Sequence, residues 1–219
     1  MSEAFKLSIE LLTPFYMGHR ITLDGLLSAA IYNATGMTGD ENAALIPLES
    51  DYGVFKGSSL FVGGEYRHRA VGRIMALKGD SDMNVNAFSP NGRGGRYTFI
   101  DSQRDAYKYN MSHYQGIQAE TVEFYGFGDA EKCRDLIQNF IFGIGKRANS
   151  GAGQIGEITI HYLDWDQSYI REDGQPARPL PLEMWESLGG GDVPWARIPV
   201  RFPYWESLGV EAVFPTNMT

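Results

Sequence analysis

Residues 143–162 read Gly143-Ile144-Gly145-Lys146-Arg147-Ala148-Asn149-Ser150-Gly151-Ala152-Gly153-Gln154-Ile155-Gly156-Glu157-Ile158-Thr159-Ile160-His161-Tyr162, a basic, glycine-studded loop that gives way to a strand. Just before it, Ala130, Cys133, Leu136, Ile137, Phe140 and Ile141 recur at the 3.6-residue period of an amphipathic helix, with Asp129 placed to cap it. The order is therefore helix, loop, strand. Gly151-Ala-Gly153-Gln-Ile-Gly156 spells the dinucleotide fingerprint G-x-G-x-x-G. That fingerprint needs the opposite order, because the N-terminus of a following helix holds the pyrophosphate. A phosphate-binding Walker A loop fails too, since Arg147 follows Lys146 and no glycine stands five residues before it. A plain helix-to-strand turn needs one glycine and a few connecting residues. This loop holds five glycines in fourteen residues, together with Lys146, Arg147, Asn149 and Ser150 as hydrogen-bond donors. Glycine permits positive φ and close backbone approach to another chain or a ligand, and cations with amide and hydroxyl donors suit a phosphate backbone. The simpler alternative is that the glycines only turn the chain.

Outward from the loop, Phe5, Leu7, Ile9 and Leu11 alternate with polar residues as a half-buried strand does. Thr22 can cap a helix carrying Leu23, Leu26, Leu27, Ala30, Ile31 and Ala34 on one stripe, ending at Gly36. Extended structure is expected from Ser59 to Leu77, with Arg67, Arg69 and Arg73 on one face and Tyr66, His68, Ala70 and Ile74 on the other. Gly79–Gly95 has the composition of a hairpin tip or loop, and Arg96–Ile100 and Thr121–Phe127 that of strands. Asp101–Gly116 has no clear period. The order β-α-β-β-α-β predicts an α+β fold of the ferredoxin-like, RRM type. It occupies residues 1–163, with a β-hairpin arm inserted at about 63–96. Residues 164–219, rich in Pro and Trp, are expected as an irregular extension packed on it, or as a docking surface for another subunit. Trp-Glu-Ser-Leu-Gly occurs there twice, at 185–189 and 205–209, too few copies for a repeat architecture.

The chain has 219 residues and a net charge of −8, unpromising for nucleic acid until its distribution is read. Residues 1–55 hold two cations and seven acids, and residues 164–219 four and nine. Residues 56–109 hold nine cations and five acids. Screening within about 8–10 Å lets a basic face act on an acidic protein. A single cysteine, Cys133, excludes an internal disulfide and fits a reducing cytoplasm. No apolar run is long enough to span a membrane, so no membrane partner is expected.

His19, His68, His113 and His161 make no metal-ligand spacing with Cys133, and no cofactor or metal is expected. His68, between Arg67 and Arg69 and near Lys56 and Tyr66, is the one cluster that could support metal-free RNA cleavage. Phosphate contact is its simpler role. Aromatics interleave with cations from Tyr52 to Tyr114, a pattern suited to single-stranded RNA or to a β core. The aromatic signature string of an RRM is missing, which shifts the expected binding surface from the sheet face to the glycine loop and the basic arm.

The loop Gly143-x-Gly145-Lys146-Arg147-x-x-x-Gly151-x-Gly153-x-x-Gly156 resembles the G-rich loop of the RAMP superfamily of CRISPR-Cas proteins. The opening strand followed by Ile21-Thr-Leu-Asp24-Gly25-Leu-Leu-Ser-Ala-Ala-Ile31 is similar as well. The Leu-Asp-Gly-Leu-Leu helix start and the tail Arg201-Phe-Pro-Tyr204-Trp205 look most like the Cas-five-type subunit of type IV systems. The resemblance implies a non-catalytic subunit that caps the 5′ handle of the CRISPR RNA. It also implies a place beside Cas-seven-type backbone subunits and a large-subunit-like protein, with target nucleic acid reaching the assembled complex. The arm would correspond to the family's thumb hairpin. The expected RNA-binding residues are Lys56, Arg67, His68, Arg69, Arg73, Arg93, Arg96, Gly143, Gly145, Lys146, Arg147, Asn149, Ser150, Gly151 and Gly153. For the arginines of the arm the ground is charge and placement. The rival functions are a metal-independent endoribonuclease centred on His68 and a protein-interaction domain that binds no nucleic acid.

Overall fold

The computed structural model describes residues 2–17, 20–75, 110–204 and 208–216, without the side chains of 73–75 and 110. The expected loop at Gly79–Gly95 and strand at Arg96–Ile100 lie outside the described residues, as do Arg93, Arg96 and the side chain of Arg73.

Strand β1 (Glu3–Leu11) buries Phe5, Leu7, Ile9 and Leu11, as its alternation requires. Helix α1 (Leu23–Thr35) starts where the Thr22 hydroxyl accepts a hydrogen bond from the Gly25 amide, at 3.4 Å. It stops at Gly36, whose left-handed backbone lets its amide bond the Tyr32 carbonyl. A short helix α2 (Gly39–Ala43) and a hairpin of β2 (Ser50–Asp51) and β3 (Val54–Phe55) follow. Next come the long strands β4 (Phe61–Met75) and β5 (Asn110–Gly128). Helix α3 (Ala130–Phe140) is capped by Asp129, which accepts from the Lys132 amide at 3.0 Å, and β6 (Ile155–Tyr162) closes the domain.

The four strands are ordered β4-β5-β1-β6, with β1 antiparallel to both β5 and β6. That is the ferredoxin-like arrangement, in which the two outer strands of the sheet are the second and fourth along the chain. Helices α1 and α3 bury their apolar stripes with β1 and β5, joining Leu23, Leu27, Ile31, Cys133 and Ile137 to Phe5, Leu7, Val122 and Phe124 in one core. Burial pushes the Cys133 thiol pKa up, which keeps it an inert packing residue.

Two differences from the sequence reading stand out. β5 begins at Asn110, so part of the unassigned stretch before Thr121 is strand. Met111, His113 and Gln115 are exposed and the intervening residues are only half-buried, leaving little of the apolar contrast that reveals a strand. The tail also holds more order than expected. β7 (Leu180–Pro181), β8 (Trp195–Ile198) and β9 (Val210–Val213) form a small sheet ordered β7-β9-β8, with a short helix α4 (Leu182–Ser187). Trp185, Leu180, Met184, Tyr169, Val54 and Val213 make a second core beneath it.

The chain divides into two compact units, one of residues 1–68 and 117–219 and the other of residues 69–116. The first holds the glycine loop and the tail; of the second, residues 69–75 and 110–116 are described. Within the second, Gly72 faces Met111 and His113, as neighbouring strands of a ribbon do.

Candidate nucleic-acid interface

Past the end of α3, Ile141 and Ile144 plunge into the core and fix the path of the glycine loop. Its two limbs are tied by the Ile144 amide, which donates to the Gly153 carbonyl at 2.8 Å. The whole loop is then stitched to residues 12–17. The Lys146 amide donates to the Tyr16 carbonyl at 2.7 Å, and the Gly153 amide to the Pro14 carbonyl at 2.9 Å. The Thr13 hydroxyl donates to the Gly151 carbonyl at 2.8 Å and accepts from the Gln154 amide at 2.9 Å. These bonds satisfy backbone groups that would otherwise need water and hold the loop in one shape.

That stitching accounts for most of the glycines. A Cβ on Gly145, at φ 88°, would sit 2.6 Å from the Tyr16 carbonyl oxygen, and one on Gly153 would strike the Ile144 carbonyl. Gly143 is similarly crowded by the Ala152 carbonyl, whereas Gly151 faces open space. The close approach is thus largely to the chain's own backbone, and the polar side chains of the loop are left on its outer surface. Lys146, Asn149 and Ser150 are exposed and Arg147 is half-buried. Arg147 takes the left-handed φ of 64° and starts a single 3₁₀ turn, Ala148–Ser150. The result is a fixed bend carrying a lysine, an arginine, an amide and a hydroxyl within five residues.

The other sequence-predicted residues are placed differently. Lys56 is 19% exposed, its ammonium 3.2 Å from Asp51 and 3.9 Å from Asp166 and lying over the Phe127 ring. Its charge is engaged inside the chain. Arg67 and His68 are exposed on β4, and the His68 imidazole stands edge-on to Tyr66. Arg69, also exposed, belongs to the second compact unit.

A buried polar cluster escaped the sequence reading. The Arg178 guanidinium, 1% exposed, meets the fully buried carboxylate of Asp24 at 3.2 Å. It also donates to the Tyr204 hydroxyl at 2.7 Å, to the Gly57 carbonyl at 2.9 Å and to the Phe55 carbonyl. Tyr204 donates in turn to Asp24 and lies 3.3 Å from the Thr22 hydroxyl. Burial, ahead of the opposing pull of Arg178, pushes the Tyr204 phenol upward and keeps it a donor. The cluster pins the tail to the start of α1. Its signal in the sequence was an aspartate inside the apolar helix start Leu23-Asp24-Gly25-Leu26 and an arginine between Ala177 and Pro179.

Among the described residues no three His, Cys, Asp or Glu side chains gather as a metal site requires, and no helix is long and apolar enough to cross a membrane. Residues 65–214 match the family model of "CRISPR type IV associated protein Csf3". No curated protein matches the chain. Among solved structures it is similar to a chain of the cryo-EM structure of the type III-B Cmr-beta bound to cognate target RNA, at 10% identity and a TM-score of 0.40. The alignment covers 74% of this chain, and this chain spans 61% of the length of that one.

Proposed function

The chain belongs to the Csf3 family of CRISPR type IV associated proteins, and on that premise we propose that it is a guide-RNA-binding structural subunit of a CRISPR effector ribonucleoprotein. In this reading it caps the 5′ handle of the CRISPR RNA and binds RNA without cleaving it. The observation that carries the proposal is the bend at 143–153, whose backbone is fixed by bonds to residues 13–16 while Lys146 projects into solvent. A loop held in advance loses little conformational freedom when a phosphate chain docks on it. Lys146, Arg147, Asn149 and Ser150 take the handle phosphates. Gly143, Gly145 and Gly153 shape the bend, and Gly151 leaves room beside it. Arg67, His68, Arg69, Arg73, Arg93 and Arg96 contact the RNA beyond the handle through the arm. Cas-seven-type backbone subunits and a large-subunit-like protein flank the chain, and target nucleic acid meets it in the assembled complex.

Each phosphate contact on a single strand contributes about 0.7 to the slope of log affinity against log salt. Replacing both Lys146 and Arg147 by alanine should therefore flatten that slope by roughly 1.4 units. An unchanged slope in the double variant would remove the loop from the interface.

A further inference from the structure

We propose that Phe142 is a stacking platform for an unpaired nucleobase of the RNA held by the glycine loop, an inference that rests on the reading above. Phe142 is 81% exposed, near the start of the connection from α3 to β6. Its backbone is not free to swing. Ile141 before it and Ile144 after it are buried in the main core, its own carbonyl accepts from the Ile155 amide, and Gly143 next to it bridges to Gln154. The in-out alternation of Ile141 and Phe142 thus fixes the ring on the outside.

Several features favour a base over a protein side chain as the occupant. Four residues beyond Phe142 comes the exposed ammonium of Lys146, and Asn149 and Ser150 lie further round the same loop. An aromatic face beside a cationic track is the combination single strands require, since the cations follow phosphates while the ring takes whichever base is presented. The other exposed residues between Phe142 and Gly151, namely Lys146, Asn149 and Ser150, are all polar. Stacking of this kind tolerates any base, so Phe142 should add affinity and little sequence preference.

The test uses the full chain with a mixed-sequence single-stranded RNA carrying one photoreactive 5-iodouridine, and the variants Phe142→Ala, Phe142→Trp and Lys146→Ala with Arg147→Ala. Stacking predicts that Phe142→Ala weakens binding about five-fold or more with the salt slope intact, because no ion is released by a stacked ring. Phe142→Trp should retain the affinity, and the cross-link should map to position 142. If the Lys146 and Arg147 variant loses affinity while Phe142→Ala binds as tightly as the parent, the stacking role is overturned and the loop assignment survives. If neither variant changes binding, both fall. Loss of a protein partner on Phe142→Ala with RNA affinity intact would make the ring a protein contact and overturn the proposal.

Discussion

At Arg147 the backbone turns through a φ of 64°, a conformation that costs a residue with a side chain about 1–2 kcal/mol and glycine almost nothing. Five glycines stand in the same loop, yet a cation occupies this turn. Strain of this sort is tolerated where a particular side chain is needed at a particular place. Arg147→Gly should therefore weaken RNA binding while relief of about 1–2 kcal/mol of backbone strain offsets, in thermal unfolding, what the side chain's own contacts contribute. A fall in stability with RNA affinity intact would mark Arg147 as a structural residue. The donors at 146–150 were legible from residue type and crowding. The duty of Gly145 and Gly153 was not, because the carbonyls they approach include Tyr16, more than a hundred positions away in the chain. Lys56 shows the same limit: its positive charge could be read, its capture by Asp51 and Asp166 could not.

Among the elements, α1 was readable to both ends and α3 to its start, since Thr22, Gly36 and Asp129 act through local hydrogen bonds that leave a local signature, whereas Ile141, read as helical, lies just past the end of α3 in extended backbone. The first strand was equally plain because one of its faces is buried. β5 was read only over its core-facing half, and the tail's small sheet was missed because β7–β9 are two to four residues long. The joint between tail and domain is the most consequential unread feature. Asp24 stands in the first turn of α1, where the helix dipole favours an anion, and Arg178 and Tyr204 reach it from the tail. Removing one partner of a buried ion pair leaves the other charge stranded, which typically costs 3–5 kcal/mol. Arg178→Met should destabilise the chain by about that much in denaturant unfolding, and adding Asp24→Asn should recover part of it. A loss below about 1 kcal/mol would mean the pair is not what secures the tail. Trp185 is spent on the second core beneath that sheet, while Trp165 and Trp195 remain exposed on the same unit.

Over the whole molecule, acidic ends flank a middle that carries nine cations against five acids. Such an excess is modest, so in the proposed reading affinity for a phosphate backbone comes from placement. The stitched loop of the first unit supplies one part of it, and the arm expected at about 63–96, whose Arg93 and Arg96 lie outside the described residues, supplies the other. The fold class was legible because the order of elements prescribes the strand order. An insertion was expected at about 63–96 from composition, and the chain divides at 68 and 117, within the long strands β4 and β5.

A chain that holds a guide RNA by its 5′ handle through the bend at 143–153 should carry that RNA out of the cell with it. The most direct measurement is sequencing of the RNA that co-purifies with the chain from cells transcribing a CRISPR array, for the parent and for Lys146→Ala with Arg147→Ala. One dominant species with a common 5′ end is expected in the parent, and its depletion in the variant. A parent that carries no RNA, or carries a mixture without a shared 5′ end, would contradict that reading.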